Sequence, residues 1–148
     1  MAAKVCKMSE ITKQFDESLV EKARAVFDEV PYLKLLGMEL VEMKAGEATV
    51  RLAMRDGLRQ PHGLLHGGAT ASVIDTATAF AVVSVLEPNE KASTVDLTVH
   101  YLRPVADGAI VCRAKVVRAG RRLLTVSAEA ENEEGKLIAT ALSTYSKV

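Results

Sequence analysis

The sequence predicts an α+β domain in which an antiparallel sheet wraps one long buried helix. Three observations carry that reading. The segment from Gly67 to Leu86, GGATASVIDTATAFAVVSVL, is apolar or small on every face, as in a helix enclosed by its own protein rather than laid on a surface. Downstream the pattern changes to alternation of apolar and polar residues, the period of a strand with one buried face. Turn sequences cut that region into pieces, and short loops between alternating strands make antiparallel pairs.

In chain order, residues 1–15 read as a flexible tail and 16–37 as an N-terminal helical segment. From Asp16 to Val30 the residues Leu19, Val20, Ala23, Ala25, Val26 and Val30 recur at helical spacing with Lys and Glu between them, an amphipathic surface helix. Pro31 ends it, and PYLKLLG is a short helical turn closing at Gly37. Two strands follow, Met38 to Met43 and Glu47 to Met54, hinged at Ala45-Gly46. The loop Arg55 to Leu65, with Gly57, Pro61 and Gly63, leads into the central helix. Beyond it Val95, Leu97, Val99 and Tyr101 alternate before Ala106-Asp107-Gly108, and Ile110, Cys112, Ala114 and Val116 before Ala119-Gly120. Leu124, Val126, Ala128 and Ala130 alternate before Glu133-Glu134-Gly135, and Leu137, Ala139, Ala141 and Ser143 close the set. These four strands read as a meander packed on the central helix. No repeat, linker or low-complexity run interrupts the chain, so residues 1–148 form a single domain.

Composition removes several function classes. With 19 basic and 19 acidic residues the net charge is zero, which gives no bulk attraction to nucleic acid or an anionic membrane. Only 4% of residues are aromatic and Trp is absent, so the stacking platforms of single-strand binders are missing. The start, MAAKVCKMSE, lacks the apolar core of a secretory signal, and the apolar run around Ala79 to Leu86 is too short to span a bilayer. Cys6 and Cys112 form no CxxC and read as reduced thiols of a cytoplasmic protein, Cys112 as core filling.

The chemistry concentrates between Gln60 and Leu86. Asp75 is the one charge in the apolar helix, and a buried carboxylate is either paired, protonated or used. A neighbouring hydroxyl, Ser72 or Thr76, is the plain structural partner. The helix opens on His66-Gly67-Gly68, and two glycines at a loop-to-helix junction leave N–H groups open to a ligand oxygen. Asp75 lies nine residues after His66, roughly 180° around the axis and about 13 Å along it. Within one chain the glycines and the carboxylate cannot meet on one small group, whereas antiparallel copies across a two-fold axis bring them together.

The stretch LLHGGATASVIDTATAFAV followed by STVDLTVHYLRPV resembles the hotdog-fold acyl-CoA thioesterases, in particular the PaaI-type subgroup, over roughly Met38 to Tyr145. The resemblance implies a hotdog fold, a dimer whose sheets join, commonly paired into a tetramer, and a site at the dimer interface. It implies hydrolysis of an acyl-CoA to a carboxylic acid and free CoA, with coenzyme A as part of the substrate and no separate cofactor. Gly67 would offer its N–H to the thioester carbonyl, where a fixed donor stabilises the developing oxyanion. Asp75 of the facing subunit would activate water or attack directly. His66 would position the loop or polarise the carbonyl, or act only as a helix cap.

Two positions depart from the subgroup pattern. Gln60 stands where Asn is usual, a longer arm for the second oxyanion donor, and Thr94 stands where Ser often precedes Val-Asp, keeping the hydroxyl. Whether Thr94 faces the site depends on strand register. Arg103, Arg121 and Arg122 lie at strand ends or turns, suited to the phosphates of coenzyme A, with Arg121 or Arg122 favoured. No His/Cys/Asp/Glu set has metal-ligand spacing, and G-x-S-x-G, Walker A and G-x-G-x-x-G are all absent. A non-catalytic acyl-CoA binding module on the same fold is the alternative, with a hotdog dehydratase behind it because His-Gly-Gly followed by Asp suits that chemistry less.

Overall fold

A computed structural model describes residues 17–148, so the expected tail at 1–15, with Cys6, lies outside the described residues. Helix α1 (Glu17–Glu29) buries Ala23 and Phe27, with Val20 and Val30 half-buried on the same stripe. Leu19 and Val26, expected on that stripe, instead face solvent. Phe27 sets the rotation of the helix: its ring bears edge-on against Phe80, centroids 5.0 Å apart. Pro31 opens α2 (Pro31–Leu36), where its missing N–H costs nothing, and Gly37 closes it at φ 73°.

The remaining elements are β1 (Met38–Lys44), β2 (Glu47–Ala53), α3 (Gly67–Val83), β3 (Ala92–Tyr101), β4 (Ala109–Ala119), β5 (Leu123–Asn132) and β6 (Leu137–Lys147). The strands form one six-stranded antiparallel sheet in the order β1-β2-β4-β5-β6-β3 around α3, the α+β arrangement expected. The strand order corrects the expected meander. β4, β5 and β6 pair in sequence, but β3 pairs with β6 at the far edge and β4 with β2. The link between β3 and β4 can cross because its seven residues, 102–108, reach about 23 Å, whereas three strand spacings need about 14 Å.

Val73, Ile74, Ala77 and Ala81 of α3 are fully buried, over a sheet face supplied by residues such as Val50, Ile110, Cys112 and Val126. α3 is three residues shorter than expected and ends at Ser84, whose hydroxyl donates to the Ala81 carbonyl (2.6 Å) and accepts the Gly46 N–H (2.7 Å). The helix is also not enclosed on every side. Gly68, Ala71, Ser72, Asp75, Ala79 and Val83 form a stripe that stays partly open, because α3 packs chiefly on β2, β4 and β5 and less closely on β3.

Three bulges explain the largest departures from simple alternation. The register shifts between Leu40 and Glu42, between Thr94 and Asp96, and between Val116 and Arg118. Each of these extra residues is a valine, and Val41, Val95 and Val117 all turn outward, whereas a fourth shift, between Ala130 and Glu131, skips Ile138 on β6, which stays buried.

Candidate active site

At the start of α3 the free backbone donors have different fates. His66 is the N-cap, and its Nδ1 accepts the Gly68 N–H at 2.9 Å. A Cβ on Gly68 would stand 2.9 Å from that nitrogen, so glycine is what lets the imidazole fold over the helix end. The Ala69 N–H bonds the His66 carbonyl at 2.9 Å. The Gly67 N–H has no acceptor among the described residues. The peptide that carries it is held through the His66 carbonyl, and Tyr101 fixes the next one by donating to the Gly67 carbonyl at 3.0 Å. The result is one open N–H, held rigid at the positive end of a long helix. His66 thus makes the cap contact expected of it.

The loop before the helix is braced from both sides. Arg59 donates to Asp56 Oδ1 (3.0 Å), to the Ala106 carbonyl (2.8 Å), to Asp107 Oδ1 (3.0 Å) and to the Gly63 carbonyl, joining this loop to the β3–β4 crossover. The Leu65 N–H bonds the Val105 carbonyl and the His66 N–H bonds that of Leu58, both at 2.8 Å. Gln60 is half-buried, and its Oε1 accepts the His62 N–H at 2.8 Å. The longer side chain thus ties its oxygen into the loop and leaves its NH2 as the group able to reach a ligand.

Asp75 sits midway along the open stripe of α3, half-buried. Its hydroxyl partner is neither Ser72 nor Thr76, which bond the backbone carbonyls of Gly68 and Ser72 within the helix (2.8 Å each). The partner is Thr94, whose Oγ1 donates to Asp75 Oδ1 at 3.3 Å. The bulge at Val95 makes this contact possible. In regular alternation Thr94 and Leu97 would point to opposite faces; one extra residue places both on the helix side, opposite buried Tyr145 and Ser143. The Tyr145 hydroxyl, 2.8 Å from Thr78 Oγ1, donates to the Asp75 carbonyl at 3.2 Å and pins this turn to β6. Burial pushes the Tyr145 phenol above its ordinary pKa, so it stays a neutral donor. Tyr145 and Arg59 were not singled out in the sequence, where nothing in their spacing marks them, and Tyr101 was read there only as a strand residue.

An open cleft of about 600 Å³ lies beside Asp75 between the N-terminal helices, α3 and β3, and Thr94 is among its lining residues. A depression of about 530 Å³ on the outer sheet face, lined by residues such as Glu42, Lys115 and Glu129, touches none of the candidate residues. Gly67 and Asp75, eight residues apart on one helix, are separated by about 12 Å along its axis. The arginines do not form one cluster either. Arg103 follows β3 at the Tyr101 end and donates to the Leu137 carbonyl (2.6 Å), whereas Arg121 and Arg122 turn between β4 and β5 beside Lys147, which pairs with Ala92. The two groups stand at opposite ends of β3, about 30 Å of strand apart. Cys112 is a free thiol pushed up to about 12 by burial, no nucleophile near neutral pH. Among the described residues no group of three His, Cys, Asp or Glu is placed to hold a metal ion, and no helix is long and apolar enough to cross a membrane.

The family model of the thioesterase superfamily matches residues 62–139, which include the capped helix start, Asp75, Thr94 and most of the sheet. The medium/long-chain acyl-CoA thioesterase YigI of Escherichia coli is 32% identical over 136 residues, covering 78% of this chain and 84% of that protein. Among solved structures, the conserved protein PA5202 of Pseudomonas aeruginosa superposes with a TM-score of 0.77 at 36% identity, covering 80% of this chain and 94% of that one. A variant of the phenylacetic acid degradation protein PaaI of Thermus thermophilus superposes with a TM-score of 0.75 at 29% identity, covering 80% of this chain and all of that one.

Proposed function

Because this chain belongs to the thioesterase superfamily and is a hotdog-fold thioester hydrolase, we propose that its substrate is an acyl-CoA and that its site is shared between two copies of the chain. The observation that carries the second statement is the half-open stripe on α3, with Asp75 in its middle and the unsatisfied Gly67 N–H about 12 Å away. Antiparallel packing of two such stripes sets the Gly67 of one copy against the Asp75 of the other, forming two equivalent sites.

At each site the thioester carbonyl oxygen accepts the Gly67 N–H, and charge gathering on that oxygen is stabilised by a donor that need not reorient. The Asp75 carboxylate, aimed by Thr94, takes a proton from water as the water oxygen bonds the carbonyl carbon, or attacks that carbon itself. The carbon–sulfur bond then breaks and the thiolate leaves to be protonated as free CoA. After direct attack the acyl group stays on Asp75 as an anhydride, which water hydrolyses to release the carboxylic acid and restore the carboxylate. Pairing the β3 edges in the same dimer brings Arg103 of one copy to the end of the sheet where the other copy holds Arg121 and Arg122, a cation group suited to the phosphates of coenzyme A. We expect a dimer at minimum and a tetramer as the usual assembly, and a CoA substrate and the free Cys112 thiol suit a cytoplasmic enzyme.

The test is thiol release from a panel of aliphatic and aromatic acyl-CoA thioesters. Release from at least one is expected, and none from a folded, assembled protein overturns the proposal. Sedimentation should find no monomer at assay concentration; an active monomer would rule out the shared site. Gln60→Glu separates the two roles of that side chain, since a carboxylate still accepts the His62 N–H but lacks the NH2. If the amide donates to the substrate, kcat falls roughly 10- to 1,000-fold at an unchanged melting temperature. Unchanged kcat would limit Gln60 to bracing the loop.

A further inference from the structure

We infer that Phe80, seated on Phe27, forms the end wall of the acyl pocket, so that the N-terminal helices limit the substrate to acyl groups about one aromatic ring or a short chain in length. The inference rests on the proposed placement of the thioester carbon at Asp75. From there the 600 Å³ cleft is walled by Val30 and Leu33 of the N-terminal segment, by Ala79 and Phe80 of α3 and by Leu97 of β3. Phe80 follows Asp75 by five residues, about 7.5 Å along the axis and roughly 140° around it. That rotation carries the ring to the flank covered by α1.

There it cannot swing aside. Phe80 is 8% exposed, and behind it Phe27 is 1% exposed, with the two rings in edge contact at 62°. Ala79 beside it is half-buried and small, which leaves the width of the cleft open up to the ring.

The other side of the cleft is polar. Ser72 gives its hydroxyl proton to the Gly68 carbonyl (2.8 Å), so Tyr32 must be the donor in the 2.7 Å contact between Tyr32 OH and Ser72 Oγ. An apolar acyl tail gains by running toward Phe80 and loses by covering these hydroxyls.

The experiment measures, by calorimetry on the full chain, the binding of non-hydrolysable S-alkyl-CoA thioethers from ethyl to dodecyl and of S-benzyl-CoA. Thiol release from the matching acyl-CoA thioesters is followed in parallel. Affinity should rise with chain length over the short members, match there for benzyl, and then level or fall. Each methylene that still finds apolar cover is worth about fourfold. Phe80→Leu should move the break to longer chains by one or two methylenes, and Ala79→Leu should move it to shorter ones. An affinity that climbs steadily to dodecyl, a break that neither variant moves, or no thioether binding at all overturns the inference. The expected shifts without thiol release would support the pocket and sink the hydrolytic reading, so the two fail separately.

Discussion

Replacing Asp75 by Asn should lower kcat by 100-fold or more, the loss typical of a positioned base or nucleophile, with little change in melting temperature or assembly. The structural side of this expectation rests on shape. Asn has the outline of Asp, and its amide oxygen can still accept the Thr94 hydroxyl, now 3.3 Å from Oδ1. The bond that holds this turn of α3 to β6 runs from Tyr145 to the backbone carbonyl of residue 75, which also accepts the Thr78 hydroxyl within the helix, so both survive the change. A substitution on a half-open face that spares its hydrogen bonds should alter stability by no more than about 0.5 kcal/mol, or about 2 °C in Tm. The chemical side rests on charge, since an amide can neither take a proton from water nor form an acyl anhydride. Thiol-release kinetics alongside thermal melting make the comparison, and a well-folded Asp75→Asn enzyme within threefold of the parent would indicate that the carboxylate takes no part in the chemistry.

Much of this candidate site is legible in the sequence because its parts break local rules. A charge in an otherwise apolar helix and paired glycines at a helix start are both unfavourable unless used, and both proved to occupy distinctive positions: Asp75 on the open stripe and Gly67 with its unsatisfied N–H. What could not be read depended on register. Thr94 reaches Asp75 only because Val95 is bulged out, and no residue type in STVDL announces a bulge. The place of β3 beside β6 was hidden for a similar reason: a short connection favours neighbouring strands, yet seven residues are long enough to reach across three strand spacings. Apolar spacing also misplaced the inner face of α1, naming Val26 and passing over Phe27, because only the size of the phenyl ring and its seat on Phe80 decide which faces the core.

The sharpest test of the oxyanion donor replaces Gly67 with proline. A helix interior would not tolerate it, but Gly67 is the first residue of α3, where the N–H makes no intrahelical bond and a φ near −65° is already required. The residue before a proline must be extended, and His66 is, at φ −64° and ψ 133°. Local room is adequate, because a Cβ at position 67 would meet the Tyr101 ring at 3.4 Å, an ordinary contact. Gly67→Pro should therefore keep the fold while deleting one N–H, lowering kcat by roughly 100- to 1,000-fold, or about 2.7 to 4 kcal/mol of transition-state stabilisation. Gly67→Ala is the matched control: it adds the same Cβ but keeps the N–H, and should hold kcat within about threefold while gaining a little helix stability. If both variants fall together, the glycine is needed for space near the Tyr101 ring and not for its donor. If both stay active, the carbonyl oxygen is held elsewhere, and the NH2 of Gln60 becomes the group to test, since its oxygen is already committed to His62.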